Sequence, residues 1–216
     1  MPRKKRIWYP GATYHVMSRG NRRASIYKDG FDHDQFLEYL KMVKDSYPFT
    51  IHAMCLMTNH FHLLIETRNT DLSKVMQKFL SLYATDYNQR YGLTGHLFES
   101  RYTACLIEDE RYFLEVSRYI HLNPVKAMMV REPMDYEYSS YGCFVSQDVK
   151  SEGPSGIKAT KNKWIRELVE TDRVLSAFRN NAREQYRMFV EGKISHEEQE
   201  LLIQKDMKED EMWLPW

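Results

Sequence analysis

The chain has 216 residues, 43% hydrophobic, 28% charged and 13% aromatic, with a formal net charge of +1; this composition suits a globular protein with one sizeable domain and an extension. No apolar run approaches bilayer-spanning length, and the basic start has no apolar stretch behind it, so neither membrane insertion nor secretion is expected. Cys55, Cys105 and Cys143 make neither a CxxC pair nor an even disulfide set, which fits a reducing cytoplasm.

The small net charge hides an uneven distribution. Residues 1–30 carry Arg3, Lys4, Lys5, Arg6, Arg19, Arg22, Arg23 and Lys28 against Asp29 alone, whereas residues 193–212 hold seven acids against three lysines. A basic arm fits a polyanionic partner, because each Lys or Arg on a phosphate releases counterions, and it equally fits a solvated tail.

In chain order, Ala12 to Met17 is rich in strand formers and leads into Ser18-Arg19-Gly20-Asn21-Arg22-Arg23, a turn carrying guanidinium groups. From Asp32 to Ser46 the apolar Phe36, Tyr39, Leu40 and Val43 recur at helical spacing. Phe49 to Met57 alternates Ile51, Ala53, Cys55 and Met57 against His52, Met54 and Leu56, which predicts a second strand. Thr58-Asn59 forms a two-residue turn into a third strand, His60 to Glu66. A second helix, capped by Thr70 or Asp71, runs with Leu72, Val75, Met76, Phe79 and Tyr83 on one face as far as Gly92. Tyr102 to Ile107 is a fourth strand, and Glu108, Asp109 and Glu110 open a third helix along Phe113, Val116 and Ile120 that is expected to end near Pro124.

Strand, helix, strand, strand, helix, strand is the ferredoxin-like βαββαβ order of an α+β protein, an antiparallel sheet with helices on one face and one further helix for the other. Residues 1–145 are expected to form that domain with its basic arm. Residues 146–161, with Glu152-Gly153-Pro154-Ser155-Gly156, read as a linker, and 162–216 as a helical extension. Within these, Tyr136 to Phe144 is expected to be extended and packed back on the domain, Trp164 to Val190 helical in two pieces broken near Thr171, and His196 to Lys208 a last helix.

The chemistry centres on Asn59-His60-Phe61-His62-Leu63-Leu64-Ile65. Alternation along a strand sends His60 and His62 to one face, about 7 Å apart at Cα, and Phe61, Leu63 and Ile65 to the other. Two imidazoles so placed can share one ion, or be two satisfied polar residues. Tyr119 and Asn123, one helical turn apart, project from nearly the same side of the third helix towards the open sheet face. A phenol is a poor nucleophile at neutral pH, yet it attacks a phosphodiester when a cation polarises the phosphate and the geometry is in line. Two imidazoles and an amide oxygen leave positions open for phosphate and water.

These residues resemble a known family. Thr58 to Leu64 is similar to the HUH motif, in which U is a hydrophobic residue. Tyr119-Ile120-His121-Leu122-Asn123-Pro124-Val125 is similar to the tyrosine-helix signature of single-tyrosine HUH transposases. The nearest branch is the REP-associated tyrosine transposases, within the IS200-like transposases. Tyr14 to Arg22 and Gly95 to Tyr102 also resemble that branch, and the tail from Val174 to Gly192 is similar to an extension of its longer members. The tyrosine follows the histidines here, whereas relaxases place it ahead.

The resemblance implies a transposase that cuts and rejoins single-stranded DNA at or near a hairpin. In that reading His60, His62 and Asn123 hold Mg²⁺ or Mn²⁺, and Tyr119 attacks the phosphate, leaving a 5′-phosphotyrosine link and a free 3′-hydroxyl. Arg19, Asn21, Arg22, Arg23 and Arg101 would follow phosphates, and Tyr102 would stack on a base. Relatives act as monomers or as homodimers that exchange the tyrosine helix. The rival readings are a hairpin-binding protein that does not cut and a metal-dependent phosphodiesterase that uses water. His121, on another side of the same helix, is left out of the site.

Overall fold

The computed structural model describes residues 7–146 and 163–192. Arg3 to Arg6, nearly all of the expected linker, and the expected helix from His196 lie outside the described residues.

The strands are β1 (Thr13–Arg19), β2 (Phe49–Leu56), β3 (His60–Thr67) and β4 (Thr103–Leu106), paired antiparallel in the order β2-β3-β1-β4. Between them lie α1 (Gly30–Ser46) and α2 (Leu72–Tyr91). This is the expected ferredoxin-like arrangement. Asp29 caps α1 by accepting from the Asp32 N–H, and Asp71 caps α2 by accepting from the Ser73 N–H. Gly92 ends α2 in the left-handed region, φ 60°, where a side chain would be strained.

The two sheet faces differ as alternation requires. Phe61 packs on Phe36 of α1, ring centroids 5.0 Å apart, so Phe61, Leu63 and Ile65 lie under α1 and α2. The opposite face is covered by α3 (Glu110–Lys126), capped by Asp109, with Phe113, Val116 and Ile120 buried.

Four expectations are corrected. First, α3 runs past Pro124 to Lys126. Proline removes only the N–H that would bond the Ile120 carbonyl, and in the last turn the helix still closes through Ala127 N–H to the Asn123 carbonyl at 2.9 Å. Second, the alternation of β2 breaks between Ile51, which pairs with Ile65, and Ala53, which pairs with Leu64. The extra residue, His52, points to the α3 face, where its ring meets Phe113 at 5.1 Å. Third, Tyr136 to Phe144 is extended only in part. Its first half lies along β2, Tyr138 O accepting from Leu56 N–H and Ser140 N–H donating to Met54 O, and its second half is α4 (Tyr141–Val145). Fourth, the segment from Trp164 is in three helical pieces: α5 (Lys163–Leu168), α6 (Asp172–Leu175) and α7 (Ala182–Glu191).

These three helices share the main core, contributing Ile165, Leu168, Val174, Tyr186 and Val190 to its buried cluster. They also hold α3 in place. His121 donates or accepts at both nitrogens, to Tyr186 Oη of α7 at 2.7 Å and to Ser140 Oγ at 2.8 Å. Arg118 donates to the Gly192 carbonyl at 2.8 Å. At the other end of α3, Arg173 of α6 donates to Glu66, Glu110 and Thr13 at 2.9, 2.5 and 3.1 Å, and lies 4.1 Å from the centre of the Phe113 ring. His121 is thus a core residue, facing α7 and the segment along β2. No described helix is long and apolar enough to cross a membrane.

Candidate active site

The site lies where β1 and β3 run side by side beneath α3. Met17 of β1 is paired with His62 of β3, and Arg19 with His60, so the α3-facing side chains of both strands alternate in register. His60 and His62 stand on that face with ring centroids 5.0 Å apart. Tyr119 reaches down from α3, half-buried, and meets the His62 ring edge-on at 5.6 Å. It meets a third imidazole, that of His15 on β1, at 5.8 Å. One chain therefore brings the tyrosine and the histidine pair together.

Burial sets the protonation of these rings. His62 is 2% exposed, and desolvation first, then the neighbouring His15 and His60, hold its pKa well below the ordinary histidine value. Desolvation lowers His15 to about 4, and desolvation with the Arg19 charge lowers His60 to about 4. Neutral imidazoles are the form that ligates metal ions. Among the described residues no three His, Cys, Asp or Glu side chains converge as a metal site. An ion here would rest on His60 and His62 and take the rest of its shell from an amide, substrate and water. Imidazole nitrogens suit Zn²⁺ as well as Mg²⁺ or Mn²⁺, so the set requires only a divalent cation with positions open to substrate and water.

Asn123 is one turn beyond Tyr119, and its amide nitrogen donates to the Tyr119 carbonyl at 2.9 Å. Its oxygen is the atom it has to offer. The same bond ties ligand candidate to nucleophile candidate through their shared helix.

The expected DNA-contacting residues fall in two adjacent stretches. Asn21 N–H donates to Leu97 O at 2.8 Å and Glu99 N–H to Arg19 O at 2.9 Å, which lays residues 97–99 beside the basic turn. Asn21, Arg22, Arg23 and Arg101 are exposed. Arg22 and Arg23 hold left-handed backbone, φ 53° and 59°, which turns the chain sharply. Arg19 is half-exposed and engaged with Glu99 at 2.8 Å. Tyr102 departs from expectation. It is 6% exposed, so its ring presents no free face on which a base can stack. It lines a groove of ≈ 690 Å³ between α2 and residues 95–102, together with Met76, Leu80, Leu97 and Phe98.

Two residues near the tyrosine carried no role in the sequence reading. His15 touches both His62 and Tyr119, and the signal available was its place two residues before Met17 on the same face of a strand that had to pair with β3. Lys126 places its ammonium 4.7 Å from the centre of the Tyr119 ring. Its signal was the seven-residue interval, two helical turns, from Tyr119.

A family model described as Transposase IS200 like matches residues 9–123, more than half of the chain. The chain belongs to the IS200-like transposases. The match spans β1 through Asn123 and so includes every residue of the cluster just described except Lys126. A Haemophilus influenzae protein classed by name among the REP-associated tyrosine transposases is 28% identical over 131 residues, 55% of this chain and 72% of that protein. Among solved structures, a REP-associated tyrosine transposase bound to a REP hairpin superposes with a TM-score of 0.57 at 22% identity, covering 68% of this chain and 87% of that one. That likeness shows the fold of this transposase.

Proposed function

We propose that this transposase cuts single-stranded DNA beside a hairpin and rejoins it through a covalent tyrosine intermediate. The reading rests on one observation above others: Tyr119 meets the buried His62 edge-on at 5.6 Å in the same chain. A structural tyrosine on this helix has no need of a neutral imidazole pair beneath it.

Tyr119 Oη attacks the scissile phosphorus, the bond from phosphorus to the 3′ oxygen breaks, and the strand leaves with a 3′-hydroxyl. The phenolic proton is released to solvent and the departing oxygen takes up another. The new phosphotyrosine ester stays on the 5′ side and keeps the energy of the broken diester. A second 3′-hydroxyl attacking the ester restores a DNA bond and frees Tyr119, with no nucleotide cofactor. His60, His62 and the Asn123 oxygen would hold Mg²⁺ or Mn²⁺, which when bound would polarise the phosphate and offset its developing charge. Lys126, beside the ring, stabilises the anionic oxygen as the proton leaves. Helix α3, fixed at both ends by α6 and α7, keeps the nucleophile in place, which lowers the entropic cost of reaching in-line geometry.

Arg22, Arg23 and Arg101 supply phosphate contacts to hairpin or flanking single strand. The relative seen with a REP hairpin supports that class of ligand. Such contacts make affinity fall steeply with salt.

Incubation with 3′-labelled hairpin-flanked single-stranded DNA, whose labelled fragment is the one that stays on the tyrosine, followed by denaturing electrophoresis, tests the proposal. A protein–DNA adduct that requires a divalent cation and vanishes in Tyr119→Phe supports it. Cleavage without an adduct would indicate attack by water. Hairpin binding with no cleavage under any divalent cation would indicate a binding protein.

A further inference from the structure

We infer that His15 and Asn59 are positioning residues that fix the tautomers of His62 and His60, so that both rings turn an Nε2 lone pair towards the reacting phosphate. The inference rests on the metal-ligand reading above.

Each ligand candidate is held through the same ring atom. His60 Nδ1 lies 2.7 Å from Asn59 Oδ1, and His62 Nδ1 lies 3.0 Å from His15 Nε2. For His60 the donor follows from the third partner. Asn59 Nδ2 donates to the Arg23 carbonyl at 3.0 Å, and a carbonyl only accepts, so the amide nitrogen must face Arg23 and the oxygen must face His60. A neutral imidazole beside that oxygen carries its proton on Nδ1. Its other nitrogen, Nε2, is then a lone pair.

For His62 two arrangements satisfy the bond. If His15 donates, His62 carries its proton on Nε2 and offers the phosphate a weak neutral donor. If His62 donates, His15 is the acceptor and His62 matches His60, with Nε2 free to ligate. Only the second gives the two rings of a His-x-His strand the same chemistry towards one ion. Metal-bound histidines are regularly oriented through a bond from the second ring nitrogen. The rings of His15 and His62 lie end to end and nearly coplanar, 21° between planes and 5.2 Å between centroids, which is the in-plane geometry that a bond between two ring nitrogens requires. His15 is buried too, at 9% exposure, so water does not readily replace it as acceptor.

Asn59 does more than orient one ring. Its carbonyl accepts from Gly20 N–H at 2.8 Å while its side chain holds Arg23 O. The backbone of the basic turn and the tautomer of His60 are therefore set by one residue.

The test needs no substrate. Long-range ¹H–¹⁵N correlation on the metal-free wild-type protein reads the tautomers directly, and Mn²⁺ titration reads affinity. Both His60 and His62 are expected to carry the proton on Nδ1. His15→Phe keeps a ring but removes the acceptor and is expected to weaken Mn²⁺ binding about 10- to 100-fold, with His15→Gln, which can accept, recovering most of it. Asn59→Leu is expected to weaken binding similarly, and Asn59→Asp, which still accepts from His60, much less. Wild-type protein that binds Mn²⁺ with His62 protonated on Nε2, or His15→Phe that binds as tightly as wild type, would overturn the inference and leave the tyrosine mechanism standing. Wild-type protein that binds no divalent cation and forms no adduct would overturn that mechanism, and the inference with it.

Discussion

The ammonium of Lys126 stands 4.7 Å from the centre of the Tyr119 ring, two turns further along the same helix. A cation held there costs nothing to reorganise when the phenol becomes an ester oxygen and charge builds on the phosphate. Lys126→Met is expected to slow adduct formation about 10- to 100-fold in single-turnover assays, while hairpin affinity changes only a few-fold because other basic residues carry most phosphate contacts. An unchanged rate would make Lys126 a packing partner of the ring and nothing more.

His121 links α3, α7 and the segment along β2 through bonds at both ring nitrogens, and desolvation lowers its pKa to about 3. Between pH 3 and 6.5 the unfolded chain binds a proton there that the native state refuses. Stability therefore falls as pH drops below 6.5, by about 2–3 kcal/mol at pH 4.5 from this ring alone. Desolvation lowers His52 as well, in the same direction. Urea midpoints at pH 7 and 4.5 measure the slope. His121→Phe should reduce it, leaving the share of the other buried histidines, and cost about 1–3 kcal/mol at pH 7, since it leaves Tyr186 and Ser140 short of a partner. An undiminished slope in that variant would place the acid sensitivity elsewhere.

Arg173 bridges the sheet and the start of the tyrosine helix, through Glu66 on β3 and Glu110 on α3, over the Phe113 ring. About a third of its side chain and a quarter of that of Glu66 are exposed, so solvent screens the pairs and the whole network is worth only about 1–2 kcal/mol. Arg173→Met should lower stability by that amount and raise amide exchange in the first turns of α3 more than in α1. Uniform exchange across both helices would show that Arg173 contributes to global stability without holding the tyrosine helix in particular.

Much of this was legible in the sequence because burial follows periodicity. The stripe Phe113, Val116, Ile120 and the alternation of Phe61, Leu63, Ile65 against His60, His62 each predict one face, and both faces appear where expected. What failed depended on partners far along the chain. The bulge at His52 is stabilised by Glu66 at 3.0 Å and by Phe113, neither of which periodicity within β2 can reveal. His15 acquires its neighbours only when β1 is inserted between β3 and β4. Pro124 predicts a stop because the local rule disfavours helix before proline, yet burial of Pro124 and His121 against the core outweighs one missing bond. An aromatic next to Arg101 suits a base by its sequence position, whereas the fold turns Tyr102 inward.

Gly20 closes the basic turn, and its need for glycine comes from crowding, since its φ of −62° suits any residue. A Cβ there would lie 2.1 Å from the Ala24 carbonyl oxygen and 2.8 Å from Ile26 Cγ2. The backbone oxygen cannot move without unmaking the turn, whose Arg23 and Ala24 N–H groups bond Gly20 O and Asn21 O at 2.9 and 3.0 Å. Gly20→Ala should therefore cost about 1–3 kcal/mol, as overpacking does, or displace the turn. Because Arg22 and Arg23 ride on the turn and Asn59 is bonded to it, hairpin affinity and adduct formation should both fall, with the sheet intact by circular dichroism. Measured together, a loss of stability with unchanged hairpin affinity would show that the guanidinium groups find phosphate from a rearranged turn, and that its left-handed geometry is not what presents them.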